Sequence, residues 1–152
     1  WNPGEGNDLI EGQAGLDTLD FNGSGANEKM DIVANGGRAM VLRDVANITM
    51  DMNDVERINI KALAGADRIT VNDLSGTDVR GVFLDLASGG AADGAADTVV
   101  VDGTAGDDVI QASGLGVGLR LLASGGDGDD VLIGGPGIDL LFGGLGDNIL
   151  IA

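Results

Sequence analysis

Three consecutive nine-residue units, GGDGDDVLI (125–133), GGPGIDLLF (134–142) and GGLGDNILI (143–151), constrain this chain more than any other feature. Each reads GGxGxDxUx, where U is a large aliphatic residue and Asn148 takes the Asp position of the last unit. Looser copies lie earlier: PGEGNDLIE (3–11), GQAGLDTLD (12–20), ALAGADRIT (62–70) and GTAGDDVIQ (103–111), with NGSGANEKM (22–30) weaker and Lys29 at its aliphatic position. The glycines let the backbone turn through positive φ, and the Asp closes the turn with a carboxylate aimed at the loop. The following x-U-x is a strand of about one pleat with U pointing inward. A turn plus a strand fills nine residues, and two such units make one coil of a solenoid.

Between the clear copies the strand rhythm persists without the glycines. Strands are expected near 31–34, 39–43, 48–52, 57–61, 68–72, 82–86 and 98–101, several of them alternating cleanly, as in Ile48-Thr49-Met50-Asp51-Met52. The expected fold is therefore all-β: a right-handed parallel β-roll or β-helix solenoid with two short strands per coil and about seven coils. It forms one domain over 1–152, with dense repeats at 1–29 and 97–152 and degenerate ones at 30–96. The stretch SGGAADGAAD (88–97) reads as an enlarged loop on the same solenoid.

Charge sets the next limit. The chain carries 25 acidic and 8 basic residues, a formal net charge of -17. Such a field opposes binding to nucleic acid or anionic membrane, and it opposes compaction unless cations neutralise it. With 43% apolar residues the chain can still bury a core. From Asp97 onward there are nine aspartates and only Arg120, so the C-terminal third has the greatest need of bound cations. Arg38, Arg43, Arg57, Lys61, Arg68 and Arg80 are expected on solvated strand faces, pairing with Asp44, Asp51, Asp54 and Glu56 where the repeat fails. Met40, Met50 and Met52 read as core filler.

The array GGDGDDVLIGGPGIDLLFGGLGDNILI resembles the RTX (repeats-in-toxin) nonapeptide repeat. That resemblance implies a calcium-binding β-roll holding several Ca²⁺ ions between turns stacked one coil apart. One turn would give the carbonyls of its second and fourth positions and its Asp; the next would give the carbonyls of its first and third positions and its Asp. Carried over residue by residue, one site uses Thr104, Gly106 and Asp108 with Gly125, Asp127 and Asp130. A second uses Gly126, Gly128 and Asp130 with Gly143, Leu145 and Asn148. Six oxygens suit calcium, a hard cation. On the opposite edge Asp139 would stack over 112–117, which offers no Asp, and Asp67 would face Asp97. Asp8 would face Asn27, while Asp17 and Asp78 read as plain turn formers.

Other chemistries find little support. No GxxxxGK[ST] phosphate loop exists, and the chain has no His, Cys or Tyr, so enzyme activity is not expected. No apolar run approaches the roughly 18 residues of a membrane span. Trp1 is not an initiator, which suggests a fragment or processed piece. The resemblance further implies secretion through a type I channel to the extracellular space or cell surface, and folding there. Self-association by end-to-end solenoid stacking, as a filament, matrix or adhesin unit, is the alternative role. An ice-binding roll fits less well, because Thr104 has no Thr in the equivalent turns 125–130 and 143–148.

Overall fold

The computed structural model describes residues 1–87, 93–112 and 118–152. Its fourteen strands are β1 (Asp8–Glu11), β2 (Thr18–Ser24), β3 (Lys29–Asn35), β4 (Arg38–Arg43), β5 (Ile48–Asn53), β6 (Arg57–Leu63), β7 (Arg68–Val71), β8 (Gly81–Asp85), β9 (Thr98–Asp102), β10 (Val109–Gln111), β11 (Arg120–Asp127), β12 (Val131–Ile133), β13 (Ile138–Leu145) and β14 (Ile149–Ile151). One face is an eight-stranded sheet in the order β1-β5-β4-β3-β7-β9-β11-β13. The other comprises two three-stranded sheets, β2-β6-β8 and β10-β12-β14. From β5 onward successive strands alternate between the two faces, and from β6 onward each pairs in parallel with a strand two elements away, as in β6–β8, β7–β9, β9–β11 and β10–β12.

Every strand expected from the rhythm is present, but β4 runs antiparallel to both β3 and β5. The parallel winding is thus interrupted by a meander over 29–53. The reason is local: Asn35-Gly36-Gly37, with Gly36 at φ +64°, makes a tight reversal where a repeat turn was expected to carry the chain onward. A short 3-10 turn, Val45–Asn47, makes the second reversal.

Alternation sets the core. Leu19 and Phe21 of β2 and Ile58 and Ile60 of β6 face Met30, Ile32, Val41, Met50, Met52 and Ile69 across the two faces, all buried. Burying residues of this size contributes about 1.5–3 kcal/mol each against unfolding. Met40 is a correction to its expected place, since it lies on the half-exposed outer side of β4. The weak repeat 22–30 shifts by one residue: Met30, not Lys29, points inward, with Lys29 exposed. A smaller cluster of Val99, Leu121, Ala123 and Leu132 fills the C-terminal part. Between the two parts, β8 and β10 belong to separate sheets, and a cavity of about 620 Å³ lined by Val82, Leu84, Ile110 and Leu121 opens there.

Candidate metal centre

The turns closing each strand pair stack in columns, and one hydrogen bond recurs in them. The backbone N–H of a turn-closing residue donates to the side chain that closes the next stacked turn. Asp108 N donates to Asp130 Oδ1 at 3.0 Å and Asp130 N to Asn148 Oδ1 at 2.8 Å. On the opposite edge Glu28 N donates to Asp67 Oδ1 and Asp67 N to Asp97 Oδ1, both at 2.9 Å. Asp17 N donates to Glu56 Oε2 at 2.8 Å. A parallel, solvent-exposed series joins Asp129 N to Asp107 Oδ1 at 3.0 Å and Asp147 N to Asp129 Oδ1 at 2.8 Å. Each amide donor fixes the position of the side-chain oxygen that accepts it.

The turns 103–108, 125–130 and 143–148 therefore share one column, as the repeat implies. The close stacking requires glycine. A Cβ on Gly126, which sits at φ +110°, would overlap the Thr104 carbonyl oxygen, and one on Gly144 would overlap that of Gly126. At Gly125 the space a Cβ would fill is bounded by Asp130 Oδ2 and, at 2.6 Å, by the Gly143 carbonyl oxygen. The same space beside Gly103 is bounded by the Gly125 carbonyl oxygen and, at 2.9 Å, by Asp108 Oδ2. A carboxylate oxygen and a carbonyl oxygen from the next turn thus converge twice, at the same relative positions.

The two cradles differ in how far their oxygens are satisfied. Asp108 Oδ2 accepts hydrogen bonds from Thr104 N and Thr104 Oγ1, at 2.6 and 3.0 Å. Asp130 is fully buried, and its Oδ2 has no partner. Oxygen of this kind, charged, dry and unpaired, is costly unless a cation meets it. No group of three or more acidic side chains converges among the described residues, so a cation here needs main-chain carbonyls as well as the two turn-closing side chains. Hard-oxygen donors of that mixture suit Ca²⁺ rather than a transition metal. Leu145 O, assigned to the second site, also accepts the Gly128 amide at 3.0 Å.

On the other edge, Asp67 and Asp97 come together as expected. Both are buried, and Asp67 Oδ2 is again without a partner. Burial, with the Asp97 and Glu28 charges adding to it, pushes the Asp67 carboxyl up to about 6, against the Glu28 amide that lowers it. Burial also raises Asp97. Nearby Asp93 is held low by the Ala95 and Gly65 amides.

Other expected ligands are placed differently. Asp8 opens β1, is exposed, and lies opposite Met50, so it does not face Asn27. Asn27 instead accepts the Ala66 amide at 2.9 Å. Position 7 takes the ladder role there, with Asn7 accepting the Thr49 amide at 2.9 Å. Asp139 lies in register with the core residue Leu121; its Oδ1 is buried and unpartnered. Its expected stacking turn, 112–117, falls almost wholly outside the described residues. Asp17, read as a plain turn former, also has a buried oxygen without a partner.

Glu28 and Glu56 fall outside the repeat pattern because they are not Asp. Glu28 is buried, accepts Ser24 Oγ at 2.6 Å, and forms an ion pair with the equally buried Arg43. Arg38 pairs with Asp51 as expected and also with Glu11, at 2.5 and 2.7 Å.

Short parallel strands joined by glycine turns, with oxygen-lined columns between stacked turns, are consistent with a nonapeptide-repeat β-roll. The family description RTX calcium-binding nonapeptide repeat (4 copies) matches residues 4–25, 93–114 and 124–152. Comparison with curated proteins and with solved structures gives no match. No helix among the described residues is long and apolar enough to cross a membrane.

Proposed function

We propose that this chain is a calcium-binding β-roll module that folds on meeting Ca²⁺ outside the cell and serves a structural or interaction role there. The observation that carries this reading is the unpartnered Asp130 Oδ2, buried beside the Gly143 carbonyl oxygen in a column of like-charged turns. Bound calcium would supply the positive charge that such oxygens need. Thr104, Gly106, Asp108, Gly125, Asp127 and Asp130 would hold one ion through carbonyls and the two carboxylates. Gly126, Gly128, Asp130, Gly143, Leu145 and Asn148 would hold the next. The chain's own part is to bring these oxygens into register and exclude water from them.

Without the ion, stacked carboxylates repel and the glycines make ordering costly. Folding and binding free energy then become one quantity. Sites of about 10⁻⁴–10⁻³ M, usual for extracellular modules, stay empty in cytosol and fill outside, which fits export of an unfolded chain by a type I route. A right-handed roll of six two-strand coils is the winding we favour over seven, because eight strands lie on one face and six on the other, the extra two belonging to the meander. No catalytic role is assigned.

Circular dichroism during a calcium titration tests the reading, with magnesium as control. Growth of β signal with calcium alone supports it; full β structure in chelator removes it. Self-association is a second role with its own observation. Ile138, Leu140, Phe142, Leu145, Ile149 and Ile151 on β13 and β14 are each more than half exposed. Light scattering that grows with calcium and falls on Phe142→Ser would support stacking through this surface.

A further inference from the structure

One buried acid of residues 1–87 is neutralised in a way that the C-terminal column lacks. In the column Asp108–Asp130–Asn148 the central carboxylate keeps an oxygen with no partner. At the first rung of the opposite edge, the Glu28 carboxylate is complete. Its Oε1 accepts Ser24 Oγ and the Nε and Nη2 groups of Arg43, and its Oε2 accepts the Ser24 amide. Arg43 reaches this place only because the meander delivers it: β4 runs back along β3 and sets Arg43 opposite the inward-facing Met30. Its guanidinium also lies 5.6 Å from the Trp1 ring, and Trp1 stacks on Phe21 at 4.5 Å.

We propose that Arg43 is a built-in cation doing for the Glu28 rung what calcium does for the C-terminal column, so that residues 1–87 fold without calcium and form the base on which β9–β14 wind. The inference rests on the calcium reading above. Arg43 is suited to the task because its charge is permanent and its planar fork meets a carboxylate with fixed donors. The packing agrees. Among the described residues, the cluster in 1–87 holds fifteen buried apolar side chains and includes Phe21, Ile58 and Ile60, whereas the C-terminal cluster holds Val99, Leu121, Ala123 and Leu132. The second face is divided between the same two parts, with β8 and β10 in separate sheets. A division in the sheet, a change in core size and a change in counter-ion therefore coincide. Asp17 and Asp67 also keep an unpartnered oxygen in this part, so calcium would add to a stability that the Arg43–Glu28 pair and the larger core already supply.

Hydrogen exchange followed by mass spectrometry on the full chain, in chelator and in calcium, resolves the parts. In chelator, peptides from 18–85 keep their protection while those from 98–151 exchange at the unfolded rate; calcium protects the second set. Arg43→Met strips protection from 18–85 in chelator, and calcium returns part of it. The double variant Arg43→Met with Glu28→Met restores protection in chelator, because no uncompensated charge is left. Equal loss across both parts of the native chain in chelator overturns the inference and leaves the calcium reading standing. Equal protection across both parts in chelator overturns the calcium reading and this inference with it. If the single and double Arg43 variants behave alike, Arg43 acts by packing and the inference is wrong.

Discussion

Replacing Asp130 by Asn separates the electrostatic role of this side chain from its structural one. The volume is unchanged, and Oδ1 remains able to accept the Asp108 amide that Asp130 now accepts at 3.0 Å. What is lost is the charge that leaves Oδ2 buried without a partner. In chelator, removing that charge relieves an unsatisfied buried group, a gain of about 1–3 kcal/mol. In calcium the sign reverses. Asp130 belongs to both proposed sites of its column, and an ion present at about 100 times its Kd stabilises by roughly 2.7 kcal/mol per site. Loss of both sites then costs up to about 5 kcal/mol, so the variant is more stable than the native chain in chelator and less stable in calcium. Hydrogen exchange of peptides from 98–151 at both conditions reads the crossing, since their protection follows the opening free energy of that part alone. A shift of the same sign and size in both buffers would mean that the carboxylate serves only as an amide acceptor, and the reasoning from its unpartnered oxygen would fail.

Three further outcomes are expected. Because burial raises Asp67 from 3.8 to about 6, the folded state binds its proton more tightly than the unfolded chain; stability in chelator is therefore present in full below the unfolded value and falls as pH rises through about 6, by at most about 3 kcal/mol, and Asp67→Asn flattens that slope in a pH series of urea midpoints. Gly126→Ala meets the Thr104 carbonyl at a φ of +110° and should cost well over 1 kcal/mol, whereas Gly4→Ala, at φ +104° in open space, pays only the backbone strain of about 1 kcal/mol; paired denaturation curves test the difference. Ile58→Ala empties a fully buried position in the larger core and should cost about 2–5 kcal/mol in calcium, read from the unfolding midpoint.

How much of this was legible in the sequence depended on spacing. The rungs Asp130–Asn148 and Asp108–Asp130 are separated by 18 and 22 residues, close to two nonapeptides, and were found from the motif. Asp67 and Asp97 are 30 apart and were still paired, because both close recognisable turns. The rungs Glu28–Asp67 and Asp17–Glu56 are 39 apart. Each such coil spans extra residues that no repeat period announces, the meander over 29–53 in part, and each replaces Asp by Glu. Asn35-Gly36-Gly37 was the available signal for the reversal, since a tight glycine turn between alternating strands favours a hairpin. The exposed series Asp107–Asp129–Asp147 was hidden for another reason: its members share the fifth position of their repeats, which the GGxGxDxUx consensus leaves open.

The recurrence of one hydrogen bond in both the dense and degenerate parts bears on what the metal has to do. Glu28–Asp67 and Asp17–Glu56 keep the amide-to-carboxylate bond where the repeat consensus is poor, at 2.9 and 2.8 Å, much as Asp130–Asn148 keeps it where the consensus is strong, at 2.8 Å. The backbone donor and a short acidic or amide acceptor therefore align stacked turns in the same way in both parts. That bond uses one oxygen of the side chain and leaves the other for a counter-ion. Asn148 preserves the alignment but brings no charge, so the outermost rung is held in register while contributing least to cation binding. Asn148→Asp should then leave the β-sheet signal in calcium unchanged and raise the calcium affinity of the column. A loss of sheet structure in that variant would show instead that the side chain's neutrality, and not the amide bond, holds the last turn in place.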